Sequence, residues 1–237
     1  MTNKKRILIG MSGGIDSTVA AILLLEQGYE LVGATFRTFD PCHNADNKGC
    51  GSEDSVMAAQ ELAQRLGIEH HILDFRETFR KHVITNFVEE YARGRTPNPC
   101  VICNSHIKWG ELIKAAEQYG CDYIATGHYA QIVEENGIFY VKKATNPAKD
   151  QSYMLFNMTQ DQLAHTVLPL AELTKAEIRS KADEAGLAVA HKSDSQDICF
   201  VPDGDYASFI EKQLGQKYPE GNYIDKYGII LGKHKLN

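Results

Sequence analysis

Two cysteines stand in settings that suit sulfur chemistry. Cys103 lies near the end of the segment Arg95–Asn104 (RTPNPCVICN), whose prolines restrict the backbone, and a helix is predicted to begin directly after it. The partial positive charge at a helix N-terminus stabilises a thiolate, which is the reactive form of cysteine. Cys199 lies far along the chain in Asp194–Phe200 (DSQDICF). The thiols are candidate nucleophiles, although either cysteine alone is as often a small buried residue.

A glycine-rich segment separates the first predicted strand from the first predicted helix. Small residues let backbone N–H groups approach an anion, and the following helix N-terminus attracts negative charge. Asp16 could cap the helix or hold a metal ion bound to phosphates. The segment is neither a Walker A loop nor a GxGxxG fingerprint, yet it predicts a phosphate site. We call it the glycine loop, and it comprises Gly10, Met11, Ser12, Gly13, Gly14, Ile15, Asp16 and Ser17.

The cysteines also allow a metal site. Cys100 and Cys103 have the Cys-x-x-Cys spacing of many zinc and iron–sulfur sites, and Cys199 could supply a third ligand. Cys121 follows a helix-ending glycine and is predicted to lie in the core. A polar loop contains a possible zinc half-site made of Cys42, His43 and Cys50. A structural zinc ion and a labile iron–sulfur cluster both stay open as alternatives.

Composition limits the classes of protein to which the chain could belong. A chain of 237 residues that is 43% hydrophobic can bury the core of one large α/β domain with an appendage. The N-terminal segment lacks the apolar region of a signal peptide, and no apolar run approaches the roughly 20 residues that span a bilayer. We therefore expect a cytoplasmic protein without a membrane partner. A net charge of −6 neither supports nor excludes an RNA partner.

Strands and helices are predicted to alternate in the first part of the chain. Strands are expected at Arg6–Gly10, Leu31–Phe36 and His70–Phe75, and helices at Ser17–Gln27, Glu53–Leu66 and Phe79–Tyr91. This order is typical of an α/β fold with a doubly wound parallel sheet. Such sheets bind ligands beyond the carboxyl ends of their strands, which is where the glycine loop would lie.

The second part of the chain has weaker signals. We expect a helix at Ser105–Tyr119, a strand at Tyr123–Thr126, a hairpin with its turn at Asn136–Gly137, and a helical extension at Asp150–Ala185 that contains a capping box at Thr174 and Glu177. A second hairpin is expected within Asn222–Gly232. We expect residues 1–205 to form a catalytic domain, and residues 206–237 to form a linker and the beginning of a truncated central domain.

The glycine loop resembles the SGGxDS loop of the N-type ATP pyrophosphatases, the PP-loop superfamily. Further motifs, namely RTPNPCVICN, ATGHY (Ala125–Tyr129), KDQSY (Lys149–Tyr153) and DSQDICF, resemble those of the tRNA 2-thiouridylases of the MnmA/TrmU type in order and spacing. The resemblance extends from the first strand to about Gly232. It implies an adenine nucleotide alpha hydrolase-like fold and cleavage of ATP between the α- and β-phosphates.

This resemblance also implies a reaction and its participants. The wobble uridine of a tRNA would be adenylated at its C2 oxygen, and persulfide sulfur would then displace AMP to give 2-thiouridine. Cys103 matches the nucleophile and Cys199 the carrier of the persulfide. ATP, with Mg²⁺, would contact the glycine loop, Phe36 and Gly127. The resemblance further implies a persulfide-donor protein as a partner and a monomeric state.

The tRNA contacts follow from the same resemblance. The target base would lie near Asn98, Pro99 and Cys100, and other tRNA contacts would come from His128, Lys149, Asp150 and Gln151. Many members of the family have aspartate at the position of Cys100, so two alternatives stay open: the thiol partly substitutes for that aspartate, or the position matters only for shape.

Other functions stay open at this point. Another PP-loop enzyme, which thiolates or amidates a different substrate, would not need Cys199. A nucleotide-binding or iron–sulfur module without turnover would release no pyrophosphate with any tRNA.

Overall fold

The computed structural model describes residues 4–39, 53–187, 198–217 and 219–234. The half-site at Cys42, His43 and Cys50 and the segment Asp194–Asp197 were singled out from the sequence. They lie outside the described residues.

Strands and helices alternate along the first part of the chain, as predicted. In order, the elements are β1 (Arg6–Gly10), α1 (Ile15–Glu26), β2 (Glu30–Arg37), α2 (Glu53–Arg65), β3 (Glu69–Asp74), α3 (Arg76–Phe79), a π-helical stretch (Arg80–Ile84) and α4 (Thr85–Ala92). Next come α5 (Pro99–Cys103), a second π-helical stretch (Asn104–Glu111), α6 (Leu112–Gln118) and β4 (Tyr123–Ala125). The remaining described elements are β5 (Ala130–Glu135), β6 (Ile138–Lys143), a 3₁₀ turn (Ser152–Leu155), α7 (Gln160–Ala164), β7 (Thr166–Val167), α8 (Lys175–Glu184), α9 (Tyr206–Leu214), β8 (Gly221–Ile224) and β9 (Ile230–His234).

Five parallel strands form the main sheet in the order β3-β2-β1-β4-β7. The chain winds outward from β1 in both directions, so the strand order reverses between β1 and β4. In β1, Ile9 lies opposite Gly33 of β2 on one side and opposite Ala125 of β4 on the other. The switch point between β1 and β4, beyond the carboxyl ends of these strands, is where such sheets bind ligands, and we call this region the crevice.

The sheet buries both of its faces because side chains alternate along each strand. Ile7 and Ile9 pack with α1, α2 and α8, whereas Leu8 packs on the opposite face against α6 and Trp109. A third apolar cluster lies beside the sheet and is rich in aromatic rings. We call it the aromatic cluster, and its buried members are Phe79, Val83, Ile84, Phe87, Val88, Ile107, Phe200, Val201 and Ile210.

The structure changes the sequence-based prediction for the helix after the proline-containing segment. This helix was expected to begin at Ser105, but α5 begins at Pro99 and continues through the π-helical stretch into α6. The side chain of Asn98 accepts a hydrogen bond from the N–H of Val101 and forms the N-cap, and Pro99 occupies the first helical turn. This is a common helix start, because proline has no N–H that would need a partner there.

The prediction that Asp150–Ala185 is helical is wrong over much of its length. Pro169 follows the short strand β7, and a proline cannot continue a helix whose interior N–H it lacks. The capping box at Thr174 and Glu177 is confirmed and begins α8, while a second capping box, at Thr159 and Gln162, begins α7.

Both predicted hairpins are confirmed. β5 and β6 pair antiparallel across Asn136 and Gly137, whose φ angles of 54° and 79° suit a tight two-residue turn. β8 and β9 pair in the second hairpin. No helix within the described part of the chain is long and apolar enough to cross a membrane.

Candidate active site

The glycine loop makes a tight path between β1 and α1 that requires glycine at Gly13. Its φ is +70°, and a Cβ atom there would lie 2.6 Å from the carbonyl oxygen of Ser55 at the start of α2. The hydroxyl of Thr35 donates to the carbonyl of Met11 at 2.7 Å and fixes the loop to β2. The loop is thus held between two neighbouring elements.

Hydroxyl groups brace the loop from within. Oγ of Ser17 accepts from the N–H of Ser12 at 3.1 Å and donates to the carbonyl of Gly14 at 3.1 Å, and this serine is buried. Ser12 is exposed, and its Oγ lies 3.2 Å from that of Ser17. The first N–H groups of α1 have no acceptor within the helix, so the loop presents donors suited to an anion.

Asp16 does not cap α1, which was one of the two roles that the sequence allowed, because Gly14 occupies the N-cap position. Its Oδ1 atom instead accepts from the hydroxyl of Tyr129 at 2.6 Å and from Nζ of Lys175 at 2.7 Å. The carboxylate joins the glycine loop to the segment after β4 and to the start of α8.

Lys175 is a functional candidate that the sequence analysis missed. It is the first residue of α8, and its side chain is only 13% exposed. A cation at a helix N-terminus opposes the helix dipole, so this position is electrostatically unfavourable for the helix itself. The sequence feature that could have identified it is a lysine directly after the cap residue Thr174, at this unfavourable position. The contact places a positive charge beside the glycine loop.

The other residues expected to contact ATP lie beside this loop. A Cβ atom on Gly127 would lie 2.8 Å from the backbone nitrogen of Ser17, so the chain after β4 packs directly on the start of α1. A Cβ atom on Gly10 would lie 3.2 Å from the ring of Phe36. The structure therefore brings the glycine loop, Phe36 and Gly127 together around the crevice.

Cys103 and Cys199 lie in one region of the molecule although they are distant in sequence. Both are partly buried and pack against the aromatic cluster. Cys103 ends the first stretch of its helix rather than preceding it, so the helix N-terminus does not stabilise its thiolate as the sequence suggested. Cys100 is the cysteine in the first turn of α5, and it is exposed.

Asp150 and Gln151, expected to contact tRNA, make contacts within the protein. Asp150 accepts from the N–H of Ala144 at 2.7 Å and from the hydroxyl of Ser152 at 2.7 Å. Oε1 of Gln151 accepts from the N–H of Tyr129 at 3.0 Å. These contacts fix the segment that carries Lys149 beside the start of β5.

Asn98 and Pro99, which were expected to lie near the target base, have structural roles in α5. Asn98 caps the helix, and Pro99 is buried.

His128 is another residue expected to contact tRNA, but it is 7% exposed. Its Nδ1 lies 2.7 Å from Oγ1 of Thr126, and its Nε2 lies 3.3 Å from Nζ of Lys108. Burial, together with the charge of Lys108, holds the pKa of His128 well below its usual range. The imidazole is therefore neutral and engaged at both nitrogens, which suits a supporting role.

Cys100, Cys103 and Cys199 do not form the three-ligand metal site that the spacing allowed. Among the residues that the structure describes, no group of three or more histidine, cysteine or acidic side chains could hold a metal ion. Cys121 packs against the core, as predicted, and burial raises the pKa of its thiol to about 11.

Comparison of the sequence with known families gives one match that covers most of the chain. Residues 5–203 match the model of a family described as the tRNA methyl transferase HUP domain. A tRNA-specific 2-thiouridylase MnmA from Clostridium acetobutylicum is 48% identical over 98% of the chain. Another protein of that name, from Clostridioides difficile, is 47% identical over 99%. The chain spans 66% of the length of each, just under two thirds.

Solved structures share the fold at low sequence identity. An NMN synthetase from Francisella tularensis has a TM-score of 0.50 and 18% identity, and the match covers 92% of this chain and 80% of that one. A 4-thiouridine synthetase, solved with RNA and bound ATP, has a TM-score of 0.53 and 18% identity, covering 90% of this chain and 50% of that one. These matches confirm the predicted α/β fold.

Proposed function

The chain belongs to the family described as the tRNA methyl transferase HUP domain, and on this premise we propose that it is the ATP-binding catalytic part of a tRNA-uridine 2-sulfurtransferase. The proposed reaction converts the wobble uridine of a tRNA into 2-thiouridine. The observation that carries the proposal is the position of the glycine loop, with Lys175 beside it, at the switch point of the sheet. The packing of Cys103 and Cys199 on one apolar cluster supports it.

In this proposal the crevice binds ATP. The N–H groups at the start of α1 and the hydroxyl of Ser12 donate to its phosphates, and Lys175 supplies a positive charge. Phe36 packs beside Gly10 and offers an aromatic surface near the adenine. Gly127 lets the segment after β4 pack directly on the start of α1 beside the phosphate site, because a side chain there would strike the backbone of Ser17.

Asp16 fits a role in holding Mg²⁺. It is a carboxylate at the glycine loop, its side chain is 31% exposed, and Tyr129 and Lys175 both contact its Oδ1 atom. Magnesium prefers such oxygen ligands together with phosphates and water. When bound, the ion would neutralise charge on the phosphates.

The C2 oxygen of uridine is a poor leaving group, so it must be activated before sulfur can replace it. The oxygen on C2 of the uridine attacks the α-phosphate of ATP, pyrophosphate leaves, and the base becomes adenylated. The terminal sulfur of a persulfide on Cys199 then attacks C2 and displaces AMP. Attack of the Cys103 thiolate on Sγ of Cys199 breaks the sulfur–sulfur bond, releases 2-thiouridine and leaves a Cys103–Cys199 disulfide. A reductant must open this disulfide before the next turnover, and a persulfide-donor protein reloads Cys199.

Product analysis with cysteine variants tests the proposal. The protein is incubated with ATP, unmodified tRNA and a persulfide-loaded donor protein, and nucleotides and tRNA nucleosides are separated by chromatography. We expect AMP and 2-thiouridine from the unchanged protein and from Cys121→Ser, but no 2-thiouridine from Cys103→Ser or Cys199→Ser. Formation of ADP and phosphate, or full activity of Cys199→Ser, would falsify the proposal.

A further inference from the structure

A lysine near the crevice has a neutral partner in place of a carboxylate. Lys108 lies in the π-helical stretch Asn104–Glu111, and its Nζ contacts Nε2 of His128 at 3.3 Å. Within the described ranges, no aspartate or glutamate lies within ion-pair distance of this ammonium. By contrast, Lys114 on the same helical run pairs with Glu111 at 3.1 Å. Within the part of the chain that the structure describes, no anion thus offsets the charge of Lys108.

The hydrogen bonds fix the tautomer of His128. The lysine ammonium has only N–H groups to offer, so it donates to Nε2. The proton of the neutral ring is then on Nδ1, which donates to Oγ1 of Thr126 at 2.7 Å. Trp109 lies against the ring, with centroids 5.3 Å apart. Thr126 and Trp109 therefore fix the position of the imidazole, and the imidazole fixes the position of the Lys108 ammonium.

The surroundings place this ammonium at the candidate site. His128 directly follows Gly127, which packs on the backbone of Ser17 in the glycine loop. The contact with His128 therefore places the ammonium of Lys108 next to the segment that packs on the glycine loop.

We propose that Lys108, positioned by His128, binds a phosphate group of a substrate in the crevice. An ammonium that donates to a neutral imidazole, and that has no carboxylate partner among the residues the structure describes, suits a phosphate. This inference rests on the proposed function, since that function brings two sources of phosphate to the site. One is the triphosphate of ATP, and the other is the phosphodiester backbone of tRNA.

Binding measurements with matched lysine variants test the assignment. Lys108→Met is compared with Lys114→Met, which removes the same charge from the same helical run but at an exposed ion pair. Calorimetry with a nonhydrolysable ATP analogue and anisotropy with tRNA at low salt form the two arms. We expect Lys108→Met to weaken binding in at least one arm by about tenfold, because a charge-assisted hydrogen bond is lost. The arm that weakens identifies the source of the phosphate, and Lys114→Met should change neither.

The positioning role of His128 is measured by a double-variant comparison. If His128 acts through Lys108, the double variant His128→Gln/Lys108→Met should bind no more weakly than Lys108→Met alone. Circular dichroism of each variant establishes that the fold is kept, and Lys108→Arg should retain much of the affinity because it keeps the charge. Equal affinities of Lys108→Met and the unchanged protein in both arms would overturn the inference while leaving the proposed function intact. Failure of the unchanged protein to bind either ligand would contradict both.

Discussion

At the scale of single residues, the contact between Asp16 and Lys175 is the most informative feature of the candidate site. Asp16 could be selected from the sequence because it lies in a recognisable loop. Lys175 could not be assigned to that site from the sequence, because it lies far from the loop along the chain. Only the packing of α8 on α1 brings them within 2.7 Å. Site residues within a local motif were predictable, whereas a partner supplied by tertiary packing was not.

Replacing Lys175 should weaken nucleotide binding without unfolding the protein. Lys175→Met keeps the apolar stem but removes the charge that we propose for the phosphates. We expect the affinity for a nonhydrolysable ATP analogue to fall by about tenfold or more, measured by calorimetry. Lys181→Met is the matched control on the same helix, where the lysine pairs with Glu26 away from the loop. Unchanged affinity of Lys175→Met would remove this lysine from the nucleotide site.

Gly127→Ala should disturb both stability and nucleotide binding. The added Cβ would lie 2.8 Å from N of Ser17 and 2.9 Å from the carbonyl carbon of Asp16, and these backbone atoms must shift. We expect a loss of about 1–3 kcal/mol in unfolding free energy, measured with urea, together with weaker ATP binding. Gly232→Ala is the control, because a Cβ there meets nothing within 4 Å and the φ angle of Gly232 is not positive. Equal stability of the two variants would show that the loop and the segment after β4 are not packed as described.

At the scale of elements, the parallel strands and their helices were predictable because each has a strong periodic signal. The helix after the proline-containing segment was placed too late, although Asn98–Pro99 is itself a helix-start signature. The π-helical stretches could not be predicted, because apolar periodicity does not distinguish them from α-helix. The earlier helix start matters for function, since it places Cys103 at the end of α5 rather than before a helix.

The N-cap of α5 gives a test at this scale. Asn98→Ala removes the acceptor for the N–H of Val101 and should cost about 1 kcal/mol of unfolding free energy, measured by urea denaturation. Asn98→Ser keeps a capping oxygen and should retain most of that stability. If both variants have the stability of the unchanged protein, the helix does not depend on this cap.

At the scale of the whole molecule, the order of strands positions the site. The alternation of strands and helices predicted a doubly wound sheet, and the reversal between β1 and β4 creates the crevice to which the glycine loop and Gly127 contribute. The aromatic cluster beside the sheet was not predicted, because it joins α3, α4 and α9 through contacts distant in sequence. This cluster is what brings Cys103 and Cys199 into one region.

The hairpin of β8 and β9 should contribute little to the stability of the sheet domain. Several of its large apolar side chains are more than half exposed, namely Tyr223, Ile224, Tyr227, Ile229, Ile230 and Leu231. Deleting residues 216–237 should therefore leave the melting temperature and ATP affinity nearly unchanged, measured by calorimetry. Deleting residues 206–237 should lower the melting temperature, since α9 buries Ile210 in the aromatic cluster. Equal decreases in melting temperature for the two truncated proteins would contradict the different contributions expected from α9 and the hairpin.

We have proposed that this chain contributes to thiolation of a tRNA uridine through Cys199. The most direct measurement is mass spectrometry of tRNA nucleosides from cells that lack the gene and are complemented with variants of it. We expect 2-thiouridine to disappear without the gene and to return with the unchanged gene or with Cys121→Ser, but not with Cys199→Ser. A level of 2-thiouridine that is unaffected by loss of the gene would contradict the proposed function.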